Sequence, residues 1–251
     1  MIPKIDVEIC TGSVQSAVNA KKGGATRIEL CHDLAEGGIT PSFAAIKYCV
    51  EVLKLRTYVL VRPRAGDFCY SEAEYETVKA DVELCKKLGA VGVVVGFLTP
   101  DGKVDTKRTA EVVRLARPLE VTFHRAFDLC CDYRRALQDI TECGCDRILT
   151  SGLSPKAIGG VSVIRDIVEL SEGRISIIAG SGISPQNVAE IIGKTGVREV
   201  HASCKKLFSG TPLNPDIPDT SNFSYTETSA SEVGKLLKIC NSITEKQYKH
   251  E

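Results

Sequence analysis

The chain has 251 residues, 43% of them hydrophobic and 25% charged, and its 32 basic and 32 acidic side chains cancel to a formal net charge of zero. That balance excludes the basic footprint of a nucleic-acid or anionic-membrane binder, and the apolar runs are strand-sized, too short for a transmembrane span. Eleven cysteines is a high and odd count. The opening "MIPKIDVEIC" lacks the basic start and long apolar stretch of a signal peptide, so reduced cytosolic thiols are expected rather than a disulfide framework.

Short β-like runs recur along the chain at residues 5–10, 27–31, 57–62, 92–96, 120–123, 147–150, 175–179 and 199–201. Helix signals separate them. Thr40 before Pro41 reads as an N-cap, Ser71 with Glu74 as a capping box, and Ser154 and Ser184 as Ser-Pro starts. Gly89 and Gly144 read as helix stops. Alternating β/α units at this length close most simply into a single-domain (β/α)8 barrel spanning 1–251. The alternative is an open doubly wound sheet, but no G-x-G-x-x-G follows the first strand. A polar segment, at about 203–228, separates the last strand from a final helix near Ser231. After the eighth strand it should lie near the barrel mouth, as a lid or as a plain surface loop.

In such a barrel the chemistry collects at the C-terminal ends of the strands. Two of these ends share the pattern Glu-x-Cys, in "VEIC" and "RIELC". Side chains alternate along a strand. Ile9 and Leu30 should therefore face the outer helices, while Glu8, Cys10, Glu29 and Cys31 face inward. Two converging thiols suit a soft ion such as Cu(I). Cys130, Cys131, Cys143 and Cys145 read as small hydrophobes in helix and turn positions instead.

Later strand ends carry "RPRAGDFCY", "TFHRAFD", "TSG", "AGSGIS" and "HASCKK". One reading is an ion-pair network in which Glu8 and Glu29 meet Arg62 or Arg125. The other is a pocket for a small anionic or phosphorylated metabolite in a lyase, isomerase or hydrolase. There His124 would be the acid/base, with Glu8 or Glu29 as its proton partner. Arg62, Arg64 and Arg125 would clamp the anion. Asp128, Ser151 and His201 would line the pocket, and Gly180, Ser181 and Gly182 would offer backbone N–H groups.

"RIELC…EGGITPS", "VRPRAGDFCYS", "VTFHRAFD" and "RILTSG" together resemble the CutC family of proposed copper-homeostasis proteins. The resemblance runs from "VEIC" to the "SEVGKL" region. It implies a (β/α)8 barrel, a cytosolic or nuclear location, self-association into a homo-oligomer and a Cu(I) role. It also implies that Cys10 and Cys31 are the copper ligands, with Glu8, Glu29 and His201 around them. The chain departs from the family's triple glycine after strand seven, where Ser181 stands in the middle, and it diverges after His201. Cys49, Cys85, Cys130 and Cys131 lie outside the shared motifs.

Overall fold

Strand pairing decides which face of each strand meets the interior. In the computed structural model, which describes residues 4–209 and 224–248, eight parallel strands pair in chain order. They are β1 (Asp6–Thr11), β2 (Arg27–Leu30), β3 (Arg56–Leu60), β4 (Gly92–Val95), β5 (Glu120–Phe123), β6 (Arg147–Thr150), β7 (Ser176–Ala179) and β8 (Glu199–Ala202). β1 pairs back onto β8, with Glu8 opposite His201, and closes the barrel. Around it run α1 (Val14–Lys22), α2 (Phe43–Lys47), α3 (Glu72–Lys87), α4 (Thr106–Ala116), α5 (Tyr133–Glu142), α6 (Val161–Ser171), α7 (Val188–Thr195) and α8 (Ala230–Tyr248). The fold is the expected (β/α)8 barrel. Among the described residues no helix is long and apolar enough to cross a membrane.

The alternation expected from the sequence sorts the side chains. Ile9, Ile28, Leu30 and Val59 belong to the apolar shell between barrel and helices. Cys10, Cys31, Tyr58, Leu60 and Val94 form a separate small cluster within the barrel. Below it the interior is ionic rather than aliphatic. Arg27 reaches Glu8 at 3.1 Å and Glu199 at 2.6 Å, and Arg147 joins Glu199 to Glu120. The Tyr58 ring lies between the two guanidinium groups, at 5.4 and 4.9 Å from its centroid.

Three helix starts differ from expectation. Ser42, not Thr40, caps α2 by accepting from the Ala45 N–H. Thr40 Oγ1 instead bonds both the N–H and the carbonyl of Arg62, at 3.0 and 3.1 Å. α6 follows Gly160, and Asn187 rather than Ser184 precedes α7. Ser-Pro serves a turn as readily as a helix start, and after Ser154 and Ser184 the chain turns before the helix begins. The Ser71 capping box on α3 forms as expected, with the Glu74 carboxylate accepting from the Ser71 N–H at 2.7 Å. Ser71→Ala should lower stability by about 1 kcal/mol in urea unfolding. An unchanged midpoint would show the box to be idle.

The segment expected as a loop at 203–228 contains an antiparallel pair, β9 (Lys205–Phe208) with β10 (Tyr225–Thr228). Residues 210–223 of it lie outside the described residues. β10 is tied to α1, because Glu227 accepts from Ser13 and Ser16, and Asn19 donates to the Thr228 carbonyl at 3.0 Å. All eleven cysteines are free. Cys49, Cys85 and Cys145 pack in the shell between barrel and helices.

Candidate functional site

The C-terminal ends of the strands enclose a cavity of about 520 Å³. Cys10, Glu29 and His201 line one side of it, and Arg62, Phe68, His124 and Arg125 line another. The register places Cys10 opposite Glu29. The Cys10 thiol donates to Glu29 Oε1 at 3.7 Å, and the Cys31 thiol donates to the Thr11 carbonyl at 3.6 Å. Donor atoms of Cys10, Glu29 and Cys31 all lie within 4.8 Å of one another. Those of Glu8, Glu29 and His201 do the same. Cys10 faces the cavity, whereas Cys31 sits behind it with no exposed surface.

Buried charge sets the protonation of this side. The adjacent Cys31 thiol, reinforced by burial, holds the Cys10 thiol well above its ordinary pKa. Burial raises Glu29 to about 7, with the Glu8 charge adding to it and His201 opposing. For His201, burial alone would favour the neutral ring. Glu29, Cys10 and Glu8 outweigh it and push the imidazole well above its usual value. Glu8 likewise resists burial: His201 and Arg27 hold it below the ordinary range. The ring Nδ1 meets Glu8 Oε1 at 2.9 Å. A charged Arg27–Glu8–His201 relay thus supports Cys10 from below.

The opposite side departs from the ion-pair reading. Glu8 and Glu29 do not meet Arg62 or Arg125. Glu8 is occupied by Arg27 and His201, and Arg62 is held by the carbonyls of Glu36, Gly38 and Gly66. Arg125 donates to Asp128 and Ser151. Asp128 also accepts from Thr150 Oγ1 and from the Ser151 and Leu153 N–H groups, so it ties the loop after β5 to the loop after β6. Arg64 turns out of the mouth toward Asp67 and Glu74 and does not line the cavity. Ser181 and Gly182 line it, whereas Ser151 and Gly180 do not. Ser181 adopts a φ of 74°, a left-handed conformation that favours glycine, and its hydroxyl donates to the Pro155 carbonyl at 2.8 Å.

His124 ends β5 and caps the short helical turn Arg125–Leu129. Its Nδ1 accepts from the Ala126 N–H at 3.1 Å, so the ring proton sits on Nε2. Burial, aided by the Arg62 charge, lowers its pKa to about 3. The ring is therefore held as a neutral donor through Nε2, with its Nδ1 lone pair occupied by the Ala126 N–H. Gly96 allows this placement. A Cβ there would lie 2.3 Å from His124 Cε1. Gly96→Ala should cost about 1–3 kcal/mol in urea unfolding, as overpacking of a buried ring does. A neutral substitution would show that the ring can move freely.

A family model for the CutC family matches residues 5–206. The chain belongs to the CutC family. A CutC family protein from Parabacteroides distasonis is 46% identical over 202 residues, which cover 80% of this chain and 83% of the relative. One from Bacteroides fragilis is 44% identical over 242 residues, 94% of this chain and 96% of the relative. The crystal structure of the proposed copper-homeostasis protein CutC from Streptococcus agalactiae superposes with a TM-score of 0.76 at 30% identity. That match covers 79% of this chain and 98% of the other. Thiamine phosphate pyrophosphorylase from Pyrococcus furiosus, at 16% identity and a TM-score of 0.57, shares the barrel alone.

Within this CutC barrel, sequence reasoning named the strand-end residues but assigned no role to Arg27, Phe68 or Lys205, although the last two line the cavity. Arg27 carried a usable signal. It shares a face with Glu29 and Cys31 by the same alternation that turned those two inward. Phe68 sits on the loop after β3, and Lys205 opens β9, whose pairing partner β10 begins only at Tyr225, so spacing gives neither a direction.

Proposed function

We propose that this CutC chain binds one Cu(I) ion at the mouth of its barrel through Cys10 and Cys31, as part of a cytosolic copper-homeostasis role. The observation that carries the reading is the approach of two buried thiols to within 4.8 Å, with Cys10 open to the cavity. At a metal–thiolate distance of roughly 2.3 Å, as for zinc, one ion between them needs about that separation. Thiolates are the ligands that favour Cu(I), and Glu29 and His201 are harder donors beside them. Both thiols must be free of their protons to hold the ion. Glu8, through His201, would fix the geometry around Cys10 and balance the charge of two thiolates. Titration of the reduced protein with Cu(I) against a competing chelator tests this. One tight equivalent per chain is expected. Chelator-limited uptake at every ratio would sink the proposal.

A further inference from the structure

The Arg62 guanidinium is a buried cation without a counter-ion. The residue is 5% exposed. Its Nη1 donates to the Glu36 and Gly38 carbonyls at 2.9 and 2.7 Å, and its Nη2 to the Gly66 carbonyl at 2.8 Å. Among the described residues no carboxylate comes within ion-pair distance of it, although Glu29, Glu36 and Asp128 line the same cavity. Asp128 is held by Arg125 and the loop after β6. The Tyr70 phenol beside Arg62 is pushed by burial up to about 12, so it supplies no negative charge. Buried charges are ordinarily paired.

Two buried donors lack acceptors, and the Tyr70 hydroxyl beside Arg62 is a third unpartnered polar group. Arg62 Nε and His124 Nε2 are both buried without a hydrogen-bond partner. Both side chains flank the Phe68 ring. Its centroid lies 5.1 Å from the Arg62 guanidinium carbon and 4.7 Å from the His124 ring centroid. A water could satisfy the donors but not the charge. Leu60, Phe68 and Leu149 add apolar wall, and about 520 Å³ fits a small molecule.

We infer that the mouth holds a second ligand, a small organic oxyanion, whose charge neutralises Arg62 and which accepts hydrogen bonds from Arg62 Nε and His124 Nε2. The site shares its cavity with Cys10 but draws on neither thiol. Carboxylates and phosphates share the chemistry it recognises, and the two are separated by probe.

The experiment titrates the wild-type chain with pyruvate and, separately, with inorganic phosphate, reading the His124 and Phe68 ring protons by NMR. At least one anion should give saturable one-to-one shifts, and the one that does names the class. His124→Asn keeps an oxygen to accept from the Ala126 N–H but removes the Nε2 donor, so it should weaken binding about tenfold or more. His124→Gln places an amide N–H near the original Nε2 and should retain binding within a few-fold. Arg62→Lys, which keeps the charge and loses the fork, should also weaken it. Saturation by neither anion overturns the inference, as does equal affinity in His124→Asn and wild type. If Arg62→Lys does not fold, the two His124 variants decide. Cu(I) stoichiometry should be unchanged in both His124 variants. Its loss in wild type would refute the copper proposal and leave this one standing.

Discussion

Serine at both Cys10 and Cys31 is expected to remove the tight equivalent of Cu(I) while leaving the barrel folded. The fold should survive because each hydroxyl inherits its thiol's acceptor: Glu29 Oε1 for residue 10 and the Thr11 carbonyl for residue 31. Binding should not survive, because a neutral hydroxyl is a hard, protonated donor and Cu(I) selects soft thiolate. The loss should exceed the roughly 10–100-fold that removing an outer-shell partner costs. Glu8→Gln belongs to that milder class, since Glu8 reaches the site only through His201. Loading expels the proton that Cys31 and burial keep on Cys10, so affinity should rise with pH. Cys131 is exposed and Cys69 and Cys143 are partly so, and they will take up copper weakly in any variant. Chelator competition isolates the tight site from that background. Wild-type affinity in the double serine variant would refute the ligand assignment.

How far the sequence reached depended on the range of the interaction. Strand count, barrel class and the inward turn of Cys10 and Cys31 follow from period-2 alternation and local caps, which are properties of a few consecutive residues. Partner choice inside the barrel is not local. Glu8 lies 193 residues from His201, and only closure of β1 onto β8 makes them neighbours. Strand ends that spell out charge point to Arg62 or Arg125 as the partner of Glu8. The arginine that meets it is Arg27, on the adjacent strand, two residues before Glu29. His124 shows a second limit. Its residue type suggests proton exchange, but its tautomer is set by one backbone N–H two residues on, and its neutrality by depth and by Arg62. The Ser-Pro signals at Ser154 and Ser184 failed for a local reason, because turns and helix starts share that dipeptide.

Arg27→Met should be the most damaging single change in the barrel interior, at about 3–5 kcal/mol, because it strands a buried carboxylate. Arg27 and Glu8 each have 2% exposed side chains, and Glu199 has 12%. Arg147 still serves Glu199 when Arg27 is gone, whereas Glu8 keeps one direct partner, His201, and the more distant Arg147 charge. Methionine fills much of the volume, so the cost is mainly electrostatic. Against a total stability of about 5–15 kcal/mol, a melting point lower by roughly 6–20 °C is expected. The sign of its pH dependence distinguishes charge from packing. In the wild type Arg27 and His201 hold Glu8 below its unfolded value, so its stabilisation is present above that value and lost in acid. In the variant only His201 and the Arg147 charge still oppose burial, so the folded pKa rises from its wild-type position. Less of the stabilisation that Glu8 contributes above its unfolded value then survives, and this shortfall shrinks as pH falls through the carboxylate range. The gap between the two proteins should therefore narrow on acidification, and adding Glu8→Gln to Arg27→Met should recover part of the loss at pH 7. A pH-independent gap with no recovery in the double variant would mean that Arg27 acts by packing. A loss below about 1 kcal/mol, the range of an exposed pair, would mean that the interior network is far better hydrated than its burial indicates.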